Sequence, residues 1–291
     1  MLHRLWPTSI AALAAASRNV IPLYGNLRAV RPVIRLLHNP RSPIDAIETI
    51  VSIGSGQRVL VNTHNLVEWD VFFTGFEPEV RRLFARYIRP GHNAIDIGAN
   101  VGVHTIAMAQ AVRGGVVLAC EPNPDALVRL RKNLSLNQIS NVRVCEMAVS
   151  DQDGTVELYV PLDLRHTAGA SLRGNMHKHL EDSQPIFVPS TTIDRLVRSH
   201  HLTNIDFIKV DVEGFEGPVL RGAKDVLARE KPAIVFEYTQ EWWQKLGYTL
   251  PQVVSDLRAV GYGSILHLSR CGLRRLPNSI PGRMNVFAAV D

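Results

Sequence analysis

The segment from Asn93 to Thr105 reads Asn-Ala-Ile-Asp-Ile-Gly-Ala-Asn-Val-Gly-Val-His-Thr, an apolar run that leads through two glycines into a helical pattern. Asp96 lies at the end of the predicted strand, and Gly98 permits the tight turn that follows it. Gly102 is expected to let the next helix pack closely against the strand. Main-chain amides at the start of that helix bind anionic groups such as a carboxylate. The segment therefore predicts a ligand site at the carboxyl end of a strand in an α/β sheet.

Short β-type runs and helical patterns alternate around this segment, which predicts a mainly parallel sheet covered on both faces. The last two runs are joined by a short connection without a helix, so we expect them to pair antiparallel. We predict a doubly wound, mostly parallel, seven-stranded Rossmann-like sheet with a final antiparallel strand. The predicted strands are 94–97, 116–120, 142–149, 186–189, 207–210, 233–237, 264–268 and 285–290, with an extra β segment at 155–160. The predicted helices are 79–87, 103–112, 125–137, 193–199, 218–228 and 252–260.

The net charge of +5 is concentrated at one end of the 291-residue chain. Residues 1–44 contain six arginines and no acidic residue, so the rest of the chain is close to neutral. This pattern predicts a basic, proline-punctuated helical arm at 1–60 and the α/β domain at 61–291, with no nucleic-acid binding face. The apolar run from Ile10 to Ala16 is too short to span a membrane. An amphipathic helix that lies across the domain or on a membrane surface is the favoured interpretation.

Two further features bear on location and on flexible regions. Cys120, Cys145 and Cys271 are too few and too scattered for a disulfide framework, which favours buried free thiols and a cytoplasmic protein. Residues 163–184 have no hydrophobic period, which predicts a long loop. The histidines of this loop, His166 and His177 among them, are more typical of solvated side chains than of a catalytic base.

The predicted ligand follows from the spacing of glycines and acids. The glycines are spaced G-x-x-x-G, whereas a nicotinamide dinucleotide site normally has G-x-G-x-x-G. Asp96 would repel a pyrophosphate but suits a ligand that carries an ammonium and a sulfonium charge. Glu121 ends the next strand, roughly 20 residues beyond the turn, where an acid can bind both hydroxyls of a ribose. Asn123 is close enough to assist, and Ala148 and Val149 follow the third strand, where they would flank an adenine ring. The pattern predicts S-adenosyl-L-methionine, although each acid taken alone could simply cap a helix.

A second acidic cluster follows the strand at 207–210. Asp211 and Glu213 lie at its carboxyl end, and Glu237 ends the next strand. One of these carboxylates could accept the proton of an attacking hydroxyl, with its pKa raised by burial or by a neighbouring charge. The alternatives are a divalent cation, which the absence of His or Asn in the cluster disfavours, and plain helix capping, above all for Glu216. Lys209 is expected on the core side of the strand, paired with one of these acids.

These residues together resemble the FkbM-type methyltransferase family. The resemblance implies a class I methyltransferase fold, O-methylation of sugar or polyketide hydroxyls, and a Glu77 that closes over cofactor or substrate. Phe215 departs from the small residue usual at its position. The matching segments are Gly75-Phe-Glu77-Pro78, Asp96-Ile-Gly98-Ala-Asn100-Val-Gly102, Glu121-Pro-Asn123, Ala148 to Gly154, Thr192-Ile-Asp194, Lys209 to Glu216 and Val219 to Ala223.

We therefore expect an O-methyltransferase acting on a sugar, glycolipid or polyketide-type small molecule. Two alternatives remain open: a nicotinamide-dependent oxidoreductase and a catalytically silent adenosyl-binding protein. A nucleic-acid methyltransferase usually has an Asn/Asp-Pro-Pro-aromatic turn where this chain has Asp-Val-Glu-Gly. No metal is predicted, and Asp211 and Glu213 are the predicted catalytic residues. The predicted cofactor residues are Glu77, Asp96, Gly98, Asn100, Gly102, His104, Thr105, Glu121, Asn123, Ala148 and Val149.

Overall fold

A computed structural model describes residues 47–54, 56–162, 170–172, 183–277 and 282–291, in which strands and helices alternate. The strands are β1 (Glu48–Ile53), β2 (Gln57–Asn62), β3 (Asn93–Ile97), β4 (Val117–Cys120), β5 (Val142–Cys145), β6 (Ala148–Val149), β7 (Gly154–Pro161), β8 (Ser183–Thr191), β9 (Ile205–Val210), β10 (Ala233–Thr239), β11 (Ser264–Ser269), β12 (Gly272–Arg275) and β13 (Arg283–Ala289). The helices are α1 (Leu66–Thr74), α2 (Pro78–Tyr87), α3 (Val103–Val112), α4 (Pro124–Leu136), α5 (Ile193–Ser199), α6 (Glu216–Arg221), α7 (Lys224–Arg229), α8 (Gln240–Lys245) and α9 (Leu250–Ala259).

The central sheet has the strand order β12-β11-β13-β10-β9-β3-β4-β5. Its five strands β5, β4, β3, β9 and β10 are parallel, and β13 pairs antiparallel with both β10 and β11. Strands β4 and β9 are buried along their whole length, as expected for strands covered by helices on both faces. The predicted doubly wound α/β sheet with a late antiparallel strand is therefore confirmed. The strand predicted at 186–189 is β8 of a separate sheet, so seven predicted strands form the central sheet, and the short, partly exposed β12 adds an eighth that its sequence did not reveal.

Two predicted elements are each divided in the structure. The run at 142–149 forms β5 in the central sheet and β6 in a separate three-stranded sheet with the order β6-β8-β7. The helix predicted at 218–228 is interrupted between α6 and α7 at Gly222. A Cβ atom at Gly222 would lie 2.2 Å from the main-chain oxygen of Ser150, so this close approach requires a glycine. Helices α1 and α8 were not predicted.

The start of the described chain is a β-hairpin, which corrects the prediction of only short helical pieces before residue 60. Strands β1 and β2 pair antiparallel from Glu48 to Asn62. Their buried side chains form one hydrophobic cluster with α1 and with residues of α3 and α4; the cluster includes Val51, Ile53, Val59, Val61, Trp69, Phe72 and Phe73. This hairpin therefore packs on the α/β domain. The remainder of the predicted arm, and most of the predicted loop with its histidines, lie outside the described residues.

The core occupies both faces of the central sheet, with Trp243 and Tyr262 on one side and Phe84, Met108 and Phe207 on the other. Within the described residues, no helix is long and apolar enough to cross a membrane. The three cysteines are free thiols, but only Cys120 and Cys145 are buried, because Cys271 lies in an exposed turn. The carboxyl ends of β3, β4, β9 and β10 meet at one edge of the sheet, where a doubly wound fold binds its ligand.

Candidate active site

The glycine turn after β3 fits tightly against the end of β9. Gly98 has a φ of 77°, and a Cβ atom there would lie 1.8 Å from the main-chain oxygen of Asp211. Gly102 has a φ of 90°, and its added Cβ would lie 2.6 Å from Leu130 Cδ1. The close approach that Gly102 permits is therefore between the start of α3 and α4, while α3 also packs on β3 as we expected. Both glycines allow a close approach that a side chain would prevent.

Asp96 is fully buried beneath the turn, where its carboxylate contacts the side chains of Thr105 and Lys209. Thr105 donates a hydrogen bond to Asp96 Oδ2 at 2.6 Å. Lys209 lies directly across the β3–β9 pair, and its Nζ is 3.3 Å from Asp96 Oδ1. The same ammonium donates to the main-chain oxygen of Gly98 at 3.1 Å. We expected Asp96 to face a cationic ligand, but in the structure the cation beside it is Lys209.

Glu121 holds the loops after β3 and β4 together. Its Oε2 accepts a hydrogen bond from the Asn100 main-chain N–H at 2.8 Å, and its Oε1 accepts one from the Asn123 N–H at 2.9 Å. Burial raises the pKa of the Glu121 carboxyl to about 7, although both hydrogen bonds lower it. The Asn123 side chain accepts from the Asp125 N–H and so caps α4. Glu121, unlike the side chain of Asn123, therefore presents its carboxylate to the adjacent cavity.

A first cavity, which we call the inner cavity, lies over the ends of β3, β4 and β9. Eight of the predicted site residues line it: Gly98, Asn100, His104, Glu121, Ala148, Val149, Asp211 and Glu213. Four other predicted cofactor residues are absent from its described lining: Asp96, Gly102, Thr105 and Asn123. Further lining residues were not predicted: Val67, Phe76, Val101, Met147, Leu158, Ala170, Ser171, Leu172 and Lys209 among them. The loop that contributes 170–172 had no sequence pattern from which such a role could be inferred.

A second cavity of about 480 Å³, the outer cavity, adjoins the first. It lies within the range of roughly 300–1,000 Å³ that is typical of small-molecule sites. Its described lining consists of Val67, Asp70, Phe76, Glu77, Pro78, Glu79, Asn100, Asp211, Glu213, Glu237, Arg270, Arg283, Met284 and Asn285. Asp211 and Glu213 line both cavities. The two predicted catalytic residues therefore lie at the junction between an inner, largely apolar space and an outer, polar one.

The carboxyl groups at the junction repel one another. Burial raises the pKa of Asp211, Lys209 at 3.5 Å lowers it, and the charges of Glu213 and Glu77 raise it further, with a net increase. Burial and the charge of Asp211 likewise raise the pKa of Glu237 well above its usual value, against the opposing charge of Arg283. A proton is therefore held more tightly at these carboxyls than at exposed ones, as a general base near neutral pH requires.

The side chain of Glu216 is buried and is hydrogen-bonded to protein groups. Its Oε1 accepts hydrogen bonds from the main-chain N–H groups of Val212 at 3.0 Å and Gly214 at 3.2 Å. Its Oε2 accepts from Trp243 Nε1 at 3.0 Å. Burial raises the pKa of this carboxyl to about 7, despite the main-chain hydrogen bonds that lower it. Glu216 thus shapes the loop that carries Asp211 and Glu213, which is a structural role but not helix capping, because the N–H groups it binds precede α6.

The buried His104 and the partly exposed Glu77 form a pair between the two cavities. His104 Nε2 lies 3.0 Å from Glu77 Oε2, and Asn285 Nδ2 donates to Glu77 Oε1 at 3.2 Å. Burial alone would raise the pKa of Glu77, but the hydrogen bond and charge of His104 lower it to about 2. Glu77 is held in the left-handed region with a φ of 41°, immediately before α2. It therefore remains ionised and fixes the orientation of the His104 ring.

The oxygen atoms of three carboxylates, Asp211, Glu216 and Glu237, lie within 4.8 Å of one another. An all-oxygen set suits Mg²⁺ in principle. However, Glu216 already accepts three hydrogen bonds, and Lys209 and Arg283 already lie beside the other two carboxylates. The cluster therefore does not offer three free carboxylates to a metal ion, although one oxygen of Glu237 has no hydrogen-bond partner among the described residues.

Comparisons with known proteins identify a family model and several proteins that are similar to this chain. Residues 96–263 match the family model of the methyltransferase FkbM domain. The 2-O-methyltransferase NoeI of Sinorhizobium fredii is 27% identical over 175 residues, which cover 57% of this chain and 70% of that protein. The hexuronic acid methyltransferase AglP of Haloferax volcanii is 28% identical over 152 residues, which cover 52% of this chain and 58% of that protein.

Two solved structures align with most of the chain. The methyltransferase FkbM from Methylobacillus flagellatus KT aligns with 75% of this chain and 52% of its own, at 17% identity and a TM-score of 0.41. The TYW2 protein of M. jannaschii, solved in complex with AdoMet, aligns with 83% of this chain and 84% of its own, at 15% identity and a TM-score of 0.43.

Proposed function

Because this chain belongs to the FkbM methyltransferase domain family, we propose that it transfers the methyl group of S-adenosyl-L-methionine to a hydroxyl group of a sugar-like small molecule. The cofactor occupies the inner cavity and the acceptor occupies the outer cavity. The observation that carries this proposal is the junction of the two cavities at Asp211 and Glu213, since a methyl group has to pass between two bound molecules at one point.

In this proposal the inner cavity binds the cofactor in three parts. Glu121 accepts hydrogen bonds from the ribose hydroxyls, and the apolar side chains of Val149 and Leu158 flank the adenine. The methionine part lies towards Asn100 and His104, at the start of α3. The cofactor supplies a methyl group activated by a sulfonium charge, which suits a space lined by carboxylates.

We propose that Asp96 and Thr105 act on the site indirectly. Asp96 holds Lys209 in place, and Lys209 holds the Gly98 turn and Asp211. This chain of contacts fixes the carboxylate of Asp211 relative to the cofactor loop. Orientation of the acceptor oxygen, the methyl carbon and the leaving sulfur in one line is the main catalytic contribution expected of such a site.

The proposed reaction is a single displacement. The acceptor oxygen forms a bond to the methyl carbon while the bond from that carbon to sulfur breaks, and the hydroxyl proton passes to the Asp211 carboxylate. The products are a methyl ether, S-adenosylhomocysteine and a protonated Asp211, which later releases its proton to solvent. The raised pKa of Asp211 supports its role as the base.

Calorimetric titration of the full chain with S-adenosylhomocysteine and with a nicotinamide dinucleotide is the first test. Binding of the former alone supports the proposal, and binding of the dinucleotide alone would end it. Mass spectrometry of a panel of simple glycosides incubated with S-adenosyl-L-methionine then tests transfer. A methylated glycoside also excludes the catalytically silent adenosyl-binding alternative, whereas cofactor binding without turnover on any hydroxyl compound favours it.

We further propose that the enzyme works in the cytoplasm, which its free cysteines support. A peripheral membrane contact of the basic arm remains a prediction from the arginines of residues 1–44. Fractionation of cells that express the full chain, compared with a chain that starts at residue 47, tests both points.

A further inference from the structure

In the part of its lining that the structure describes, the outer cavity has an excess of acidic over basic side chains. In the described part of its lining, six carboxyl groups face two guanidinium groups: Asp70, Glu77, Glu79, Asp211, Glu213 and Glu237 against Arg270 and Arg283. The Lys209 ammonium and the His104 ring, which reach this region from the inner cavity, do not cancel that excess. An acceptor that carries a carboxylate or a phosphate would be repelled by such a lining.

Glu237 is an acid of this lining that the described protein compensates at only one of its two carboxylate oxygens. Its side chain is only 10% exposed, and Arg283 Nε contacts Oε1 at 2.6 Å. The second oxygen, Oε2, is buried and has no hydrogen-bond partner among the residues that the structure describes. A buried carboxylate oxygen without a donor is unfavourable, so a donor supplied by a bound molecule would be stabilised there. Asp211 lies beside it, with one carboxylate oxygen within 4.8 Å of one of Glu237.

We infer that the acceptor carries a protonated amine next to the hydroxyl that is methylated, as an amino sugar does, and that Glu237 Oε2 accepts a hydrogen bond from this ammonium group. The inference rests on the proposed methyl transfer. An ammonium group is compact and has three donors, so it supplies both the missing hydrogen bond and the missing positive charge.

The spacing of the two carboxylates fits such an acceptor. Asp211 takes the proton of the hydroxyl, and Glu237 binds the neighbouring ammonium, so adjacent substituents of one ring reach both groups. Burial is the main cause of the raised pKa values of these two carboxyls, and a bound cation relieves the mutual repulsion that adds to it. A neutral sugar lacks the charge, and a uronic acid adds repulsion. The amine therefore selects the acceptor and positions its hydroxyl.

The test uses the full chain saturated with S-adenosylhomocysteine, in buffer that contains EDTA. Four methyl glucosides are titrated by calorimetry: the 2-amino-2-deoxy compound, its N-acetyl derivative, the unmodified glucoside and the glucuronide. We expect the amine to bind at least about tenfold more tightly than its N-acetyl derivative, and the glucuronide to bind most weakly. The glucuronide also tests the acceptor class in the name of the Haloferax relative.

Two variants test whether Glu237 causes the preference for the amine. Glu237→Gln removes the charge with little change in shape, and should reduce the preference for the amine to less than about threefold. Glu241→Gln removes one charge from an exposed residue four positions away, paired with Lys245, and should retain the full preference. Affinity for S-adenosylhomocysteine and the midpoint of thermal unfolding verify that both variants are folded. The comparison of amine and N-acetyl compounds on the unmodified chain stands even if Glu237→Gln does not fold.

Equal affinity for the four compounds, tighter binding of the glucuronide, or no binding of any of them would overturn the inference. Binding that is lost in EDTA and restored by Mg²⁺ would also overturn it, because the cation at Glu237 would then be a metal ion. Failure of the proposed function would be recognised separately, because S-adenosylhomocysteine would then not bind in the calorimetric titration of the full chain. If the neutral glucoside is methylated and the amine is not preferred, this inference is wrong but the proposed methyl transfer stands.

Discussion

Glu121 and Asp211 illustrate two different ways in which a single carboxylate serves this site. Glu121 uses both oxygens to hold two main-chain N–H groups and is part of the lining of the inner cavity. Asp211 lies at the junction of the cavities, with Lys209 as its cationic neighbour. The first residue is therefore expected to act mainly on cofactor affinity and the second mainly on turnover.

Glu121→Gln should weaken the binding of S-adenosylhomocysteine by about tenfold or more. The amide keeps one acceptor oxygen but turns an N–H₂ group towards one of the two main-chain donors, and it removes a charged acceptor for the ribose. Calorimetry measures the dissociation constant. Asp125→Asn, which changes an exposed acid in the first turn of the following helix α4, is the matched control and should bind as the unmodified chain does. An unchanged dissociation constant in Glu121→Gln would contradict the assignment.

Asp211→Asn should lower kcat by about 10²–10⁴-fold, the usual contribution of a general base, while S-adenosylhomocysteine still binds within a few-fold of normal affinity. The pH profile gives a second reading. Because the pKa of Asp211 is raised, kcat of the unmodified enzyme should fall on the acid side at a pH above the ordinary range of an aspartate. Normal kcat in Asp211→Asn at neutral pH would assign the base to another residue, with Glu213 first.

At the scale of elements, the site depends on loops that are shaped by close contacts between neighbouring strands. The turn from β3 into α3 presses on the end of β9, and the loop from β9 into α6 is held by Glu216. Helix α1 and the segment that follows it enclose the same region from the other side, through Val67 and Phe76 of the cavity lining. Elements far apart in the chain thus set the position of each functional side chain.

Gly98→Ala should abolish folding or lower the free energy of unfolding by more than about 3 kcal/mol, because its Cβ would overlap a main-chain oxygen that cannot move aside. Gly114→Ala is the matched control. Gly114 also has a positive φ, but an added Cβ meets nothing within 4 Å, so this substitution should cost about 1 kcal/mol. Denaturant titration measures both. Similar losses in the two variants would show that backbone strain alone explains the effect at Gly98.

Glu216→Gln should make stability depend less on pH. The pKa of Glu216 is raised from 4.5 to about 7 in the folded protein, so between these values the folded state binds more protons than the unfolded state. The free energy of unfolding contributed by this group is therefore largest below pH 4.5 and falls as the pH rises towards 7. Urea titrations at pH 5, 6 and 7 should show a smaller decline in Glu216→Gln. An identical decline would place the responsible protons on other groups.

At the scale of the whole molecule, the hairpin decides where the domain begins. Its buried valines and isoleucines share one hydrophobic cluster with α1, and Arg129 of α4 binds Glu48 of β1 and Glu68 of α1. We therefore propose that the domain starts at about residue 47, and not at the expected boundary of 61. The outer cavity depends on the packing of α1 against the rest of the domain, because α1 lines it together with α2, β10 and β13.

A chain that starts at residue 47 should keep its affinity for S-adenosylhomocysteine and its free energy of unfolding. A chain that starts at residue 63 should fail to fold, because it loses Val51, Ile53, Val59 and Val61, each worth about 1.5–3 kcal/mol of burial. Circular dichroism and denaturant titration of both chains test this expectation. A stable, cofactor-binding chain from residue 63 would restore the boundary that the sequence indicated.

The alternation of apolar runs along the chain determined the parallel sheet. The Gly98 turn and the position of Glu121 at a strand end could also be placed from the sequence. These features depend on residues within one strand and the loop and helix that follow it. Three other features depended on the tertiary structure. The partner of Asp96 is Lys209, 113 positions along the chain but directly opposite it in the β3–β9 pair. The contact of Gly102 with Leu130 and the sharing of Asp211 between two cavities likewise require the packing of distant elements. Local patterns determine what each segment forms, whereas charge compensation and cavity shape arise only when separate segments meet.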